Sequence, residues 1–388
     1  MDQVKLKYLC TSYSTPITQD QINKNGQYKV YGASGLVGYL PNEGCKTTYL
    51  GIVKDGAGVG RINAYEAGSY LLGTMAYIIP NSGVNIKWLK YAIMSLDLGK
   101  SISKTTIPHI YFSEYSNRKV GWSSLDTQAR IADFLDYKCD EIDSVIAITQ
   151  KTIEEYKALK QSIITEVVTK GIRGDRPMKD SGIEWIGDIP AEWDVVRIKN
   201  LFDYRNERNF KPLEEVNLIS LYTDKGVVQH CDLDETTGNK ASNADGYKLV
   251  YENEIVVNII LCWMGAIGRS AYFGVTSPAY DVYSPKQKTN SKFYHYLFRT
   301  NGFSGDCYKV GRGIMAMRWR TYSDQFRAIK VVSPPQSEQE EIVEYLDEKC
   351  EGIDDLIAKK QQYLTEIENY KKSLIYEYVT GKKEVHPL

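Results

Sequence analysis

The sequence predicts an α+β protein built as a pseudo-repeat, with two globular α/β domains alternating with two long helices that form a coiled coil. Three observations predict it. Residues 128–169, QARIADFLDYKCDEIDSVIAITQKTIEEYKALKQSIITEVVT, align without a gap on 339–380, QEEIVEYLDEKCEGIDDLIAKKQQYLTEIENYKKSLIYEYVT. The shift is a constant 211 and 18 of 42 positions are identical, which marks an internal repeat. Within each copy the seam residues return every seventh position: Leu135, Ile142, Thr149, Tyr156 and Ile163, then Leu346, Ile353, Lys360, Ile367 and Leu374. A seven-residue period held over many turns belongs to a coiled coil and not to a helix lying on a sheet. The third observation is charge, which alternates along the same borders.

Four segments follow in order: a first domain at 1–122, a helix at 123–172, a second domain at 173–333 and a helix at 334–388. Both domains read as short β-rich runs between Gly-rich turns, including Thr48–Val53, Tyr70–Pro80 and Glu254–Cys262. Each is followed by one short helical stretch, 86–97 and 290–300. The domains echo each other weakly. Val4–Lys7 matches Val196–Lys199, Gly56–Arg61 matches Gly265–Arg269, Ala76-Tyr77 matches Ala279-Tyr280, and Lys87–Tyr91 matches Lys292–Tyr296. Neither long copy contains Pro, and at about 1.5 Å per residue each helix would reach roughly 60–65 Å. Thr149 and Lys360 are the polar breaks in their seams. Paired antiparallel, the two breaks would meet and fix register.

The whole chain of 388 residues carries 48 Lys plus Arg against 49 Asp plus Glu, which taken alone argues against a nucleic-acid partner. Divided at the borders, the first domain holds 13 basic and 7 acidic groups and the first helix 6 and 9. The second domain holds 22 and 20, and the second helix 7 and 13. Basic domains attract phosphate backbones, and acidic helices are kept away from them. Two segments of the second domain sharpen this: YRNERNFK at 204–211 and the basic, Gly-rich GDCYKVGRGIMAMRWR at 305–320. In the first domain GKSISKTT at 99–106 takes a similar place after the short helix. Arg and Lys serve phosphates and guanine edges, and Asn can pair with adenine. The expected DNA contacts are Lys54, Arg61, Lys100 and Lys104 in the first domain. In the second they are Arg205, Asn206, Arg208, Arg269, Arg312, Arg318 and Arg320.

No apolar run approaches the length of a membrane helix. The opening MDQVKLKYLC lacks the order of a signal peptide. The seven Cys are widely spaced, so the expected setting is a reducing cytoplasm. The motifs of a P-loop, a zinc protease, a nucleophile elbow and the Asn-Pro-Pro-aromatic of adenine methyltransferases are all absent. The reading is therefore of a chain without a catalytic or metal site.

Over essentially its whole length the chain resembles the specificity subunit of type I restriction–modification systems. The strings that carry this are SPPQSEQEEIVEYLD at 333–347, IITEVVTKG at 163–171 and KDSGIEWIGDIP at 179–190, followed by Trp193. Two departures are visible: no stretch comparable to 181–192 precedes the first domain, and Trp122–Gln128 lacks the Pro-Pro found at 334–335. The resemblance implies that each domain reads one half of a split double-stranded DNA target. It implies that the helices pair antiparallel and set the gap between half-sites. It also implies two modification subunits that methylate adenine at N6, and restriction and translocase subunits. S-adenosylmethionine, ATP and Mg would belong to those partners and no cofactor to this chain, in a bacterial or archaeal cytoplasm. Asp136, Asp143, Asp347 and Asp354 are expected on exposed helix faces that dock the modification subunits. The alternatives are a self-contained DNA methyltransferase or nuclease, and a coiled-coil scaffold with no role at DNA.

Overall fold

A computed structural model describes residues 1–96, 98–102, 108–232, 243–313 and 319–385. It divides into two compact units, Met1–Thr152 with Lys360–Leu388, and Ile153–Lys359. Each unit therefore contains one globular domain and one half of each long helix.

In the first unit the strands Asp2–Lys5 and Lys119–Trp122 pair antiparallel, which closes the domain where the first long helix begins. Its main sheet has four antiparallel strands, in the order Cys10–Ser14, Met75–Pro80, Tyr49–Val53, Ile62–Tyr65. Gly35–Leu40, Tyr28–Gly32 and Tyr70–Leu71 form a second sheet. Tyrosines join the two: Tyr13, Tyr77, Tyr49, Tyr65 and Tyr31 run ring to ring with centroids 4.7–5.7 Å apart. The tyrosine hydroxyls find partners at Cys45, Ser69 and Glu66 and at the amide of Leu71, so polar rings fill this space where Phe could not.

The second unit repeats the plan. Asp194–Arg197 pairs with Lys330–Ser333. The main sheet again runs first, last, middle, edge: Phe202–Arg205, Tyr280–Pro285, Ile255–Asn258, Ile267–Arg269. One echo read from sequence shifts. Ile52 pairs with Ala76 and Val257 with Asp281, so Ala76 corresponds to Asp281 and not to Ala279. The sequence match was displaced by two residues, a slip that a strand's two-residue period hides.

The long helices span Leu125–Lys170 and Gln336–Val379. They begin differently. The Ser124 hydroxyl accepts from the Thr127 amide at 3.3 Å, whereas the Pro335 carbonyl accepts from the amides of Glu338 and Gln339 at 3.0 Å each. A side-chain cap thus stands where the second helix has Pro-Pro.

Within each unit the helices run antiparallel. In the first, Phe134 meets Tyr378 and Asp143 meets Lys371 at 2.6 Å. In the second, Lys160 meets Asp354 at 2.6 Å and Arg173 meets Glu341 at 2.7 Å. The shift of 211 converts the Asp143–Lys371 bridge into the Asp354–Lys160 bridge. All ten seam residues are buried or half-buried, and Leu135, Ile142 and Leu374 share one core cluster. Thr149 and Lys360 do not face each other. The Asp143–Lys371 register puts Thr149 level with Thr365, five residues or roughly 7 Å of rise from Lys360. Thr149 instead satisfies its hydroxyl on the Val145 carbonyl at 2.8 Å.

A duplicated clamp fixes each domain to its helix. Asn85 caps the short helix Ile86–Met94, and Asn290 caps Ser291–Phe298. The amides of Asn85 and Asn290 donate to the buried Gln128 and Gln339, at 2.9 and 2.8 Å. One turn further on, Lys87 and Tyr91 hold Asp136, and Lys292 and Tyr296 hold Asp347, with both tyrosine bonds at 2.7 Å. Such charge-assisted bonds are stronger than neutral ones and fix orientation.

Candidate nucleic-acid interface

The segment 204–211 of the second unit is held from below. Lys248 and Asp281 form a buried ion pair at 2.9 Å, and Lys248 also reaches the Tyr204 hydroxyl at 3.2 Å. Arg205 pairs with buried Glu254 at 3.0 Å and lies over the Tyr251 ring at 4.4 Å. Burial pushes the Glu254 carboxyl up, against the lowering effect of the Tyr251 amide and of Arg205. Arg208 donates to the Gly246 carbonyl at 2.9 Å, and its backbone bridges to Lys248. Asn209 is buried, with its side chain bonded to the carbonyls of Ala244 and Lys211. What this segment leaves facing water is Asn206, Glu207, Phe210 and Lys211, with Glu207 paired to Arg205.

The second basic segment is closed at its base. Arg312 and Arg320 exchange backbone bonds at 2.8 and 2.9 Å, and Trp319 stacks on Tyr308 with centroids 4.9 Å apart. Gly311 is required there, because a Cβ would lie 2.3 Å from the Trp319 Nε1. Arg312 is exposed and Arg320 half-buried, and Arg318 lies outside the described residues. Half-buried Arg269 donates to the side chain of exposed Asn253 at 2.9 Å.

In the first unit Lys54 pairs with its neighbour Asp55 at 2.9 Å. Exposed Arg61 folds over its own turn, with Nε donating to the Gly58 carbonyl at 3.4 Å. Lys104 lies outside the described residues, as does the side chain of Lys100. The sequence-predicted cations thus fall into two groups. Lys54, Arg61, Arg205, Arg208 and Arg269 are held by partners within the chain, whereas Arg312 projects, as does the uncharged Asn206.

The acidic residues have partners within the chain. Asp136 and Asp347 hold the short helices and are half-buried, while Asp143 and Asp354 bridge the two long ones and stay exposed, as expected from the sequence. The four positions are identical in the repeat because both copies build the same clamp and the same bridge.

Among the described residues no group of three or more His, Cys, Asp or Glu is placed to hold a metal ion. His295 is half-buried, desolvation pushes its pKa down to about 3, and its ring accepts the Arg269 amide at 3.1 Å. No described helix is long and apolar enough to cross a membrane.

Residues 190–368 match the family model of the type I restriction modification DNA specificity domain. Over that stretch, a little under half of its length, the chain is similar to that family. It is 25% identical over 325 residues to the type I restriction enzyme MjaVIII specificity subunit of Methanocaldococcus jannaschii, covering 77% of this chain and 71% of that one. It is 26% identical over 300 residues to the putative type I restriction enzyme MjaX specificity subunit of the same organism, covering 74% of this chain. It spans only 62% of that second relative. In fold the chain resembles one solved in a study of complex assembly and conformational transition of the type I R-M system. The TM-score is 0.69 at 12% identity, over 98% of each chain.

Proposed function

We propose that this chain is a specificity subunit that reads a two-part double-stranded DNA target, one half per domain, and directs adenine N6 methylation and restriction by partner subunits. The observation that carries it is the duplicated clamp. One domain plan occurs twice, and each copy is fixed to a helix through the same Gln and Asp, giving two equivalent readers on one coiled coil. Two readers of the same plan suit two half-sites. In this reading the chain itself performs no chemistry, and S-adenosylmethionine, ATP and Mg belong to the partners. Mapping methylated adenines in a host that carries this gene with its partner genes tests it. Methylation at a split target supports the proposal, and methylation by the purified chain alone overturns it.

Arg312→Ala is expected to weaken target binding by the methyltransferase complex and to reduce its salt dependence, since exposed Arg contacts phosphate or guanine. Unchanged affinity in a salt titration would remove Arg312 from the interface.

For the modification subunits, the proposed docking surface is an apolar stripe on the long helices. Val145, Leu159, Leu356, Tyr363 and Tyr370 each sit three residues past a seam residue and are 37–57% exposed. Within each unit one heptad position on the antiparallel helices forms one flank of the pair, Val145, Tyr363 and Tyr370 in the first and Leu159 and Leu356 in the second, and an exposed apolar patch marks a protein contact. Leu159→Glu combined with Leu356→Glu is expected to weaken assembly with the modification subunit at least tenfold without lowering the melting temperature. Assembly at wild-type affinity in sedimentation would rule the stripe out.

A further inference from the structure

Phe210 is 81% exposed, more than any other large apolar side chain among the described residues. A ring so placed ordinarily folds back against the surface, because removing apolar area from water is favourable. The backbone around it prevents that. The Asn209 amide donates to the Tyr247 carbonyl at 2.7 Å, and the Asn209 carbonyl accepts from the Gly246 amide at 2.9 Å. The Asn209 side chain takes the Ala244 and Lys211 carbonyls and accepts the Lys211 amide, at 2.8–3.1 Å. Residues on both sides of Phe210 are thus tied down, and beneath them lie the Lys248–Asp281 and Arg205–Glu254 pairs. A rigid support holding one aromatic ring in water is the build of a preorganised binding contact. Its exposed neighbours include Asn206 and Lys211, an amide that can pair with a base edge and a cation suited to phosphate, while the charge of exposed Glu207 is taken up by Arg205.

We infer that Phe210 is a base-contacting residue of the second domain, its ring packing against the apolar surface of a nucleobase while Lys211 holds the adjacent phosphate. This rests on the reading of the second domain as a DNA reader. An apolar ring finds its counterpart at a thymine methyl in the major groove or at the face of an opened base step. Either contact discriminates sequence without releasing a counterion.

The experiment uses the complex of this chain with its modification subunit, and duplexes with and without the mapped target, titrated across salt. Phe210→Ala is expected to weaken target binding about tenfold and leave random-duplex affinity and the slope of log K against log salt unchanged. Phe210→Leu is expected to recover part of the loss. Lys211→Ala is expected to weaken both duplexes and to lower the slope by about one. Replacing target thymines with uracil abolishes the Phe210 effect for a methyl contact. Brighter 2-aminopurine fluorescence marks an opened step. Equal loss on both duplexes, no loss on the target, or failure of the variant to assemble with the modification subunit would each overturn the inference. A wild-type complex with no preference for the target removes the DNA-reading proposal, and this inference with it.

Discussion

Glu338→Ala is expected to destabilise the second unit by about 3–5 kcal/mol, the usual cost of removing one partner of a buried pair. Its carboxylate is almost wholly buried, with one oxygen 2.6 Å from Arg176 and the other accepting the Trp193 Nε1 at 2.9 Å. The substitution strands a guanidinium and an indole N–H. Arg176 keeps exposed Glu192 at 3.0 Å and the Lys170 carbonyl at 2.8 Å, which places the effect toward the lower end. At about 2–4 °C per kcal/mol for a unit of this size, the melting transition should fall by roughly 10 °C. Glu338→Gln keeps an acceptor for Trp193 and should cost less. Calorimetry on both variants checks this, and a fall under 2 °C for the alanine variant contradicts it. The consequence reaches beyond packing. Arg176 belongs to the lead-in segment and Glu338 to the second long helix, so the pair pins the end of one helix to the start of the other.

Lengthening both long helices by seven residues at the same level is expected to abolish methylation at the natural target. New methylation should appear at targets whose gap is about three base pairs longer. One heptad adds roughly 10 Å of helix at about 1.5 Å per residue and returns the seam to the same face. Three base-pair steps of about 3.4 Å span that distance. Lengthening one helix alone displaces one of the two bridges, Asp143–Lys371 or Lys160–Asp354, and should weaken the chain instead. Methylation at an unchanged gap in the doubly lengthened chain would refute the ruler.

The repeat and the seam were legible because both are local periodicities written into side-chain type. So was the plan of each unit, because the same strings recur before each helix. What those strings hold was not legible. Asp136 and Asp347 read as solvated charges, since Lys87 and Lys292 lie 49 and 55 residues away in sequence and nothing local announces the pairing. Arg205 read as a free DNA contact for the same reason, its partner Glu254 lying just before another strand, Ile255–Asn258. Phe210 stood inside the right segment, but exposure is decided by the fold, and a lone Phe among polar residues signals core as readily as surface. The expected Thr149–Lys360 meeting failed on register, which the bridges set and a heptad count cannot.

The division of the chain has a consequence in time. The second unit is one continuous stretch, Ile153–Lys359, and can fold as soon as it leaves the ribosome. The first unit cannot, because Asp143 waits for Lys371, which is 228 residues downstream. At about 5–20 residues per second that delay is roughly 10–45 s. Throughout it Leu135 and Ile142 have no Leu374 or Val379 to cover them. The half of the molecule made first is the half completed last, and nascent chains should bind chaperones through the first long helix until the second arrives.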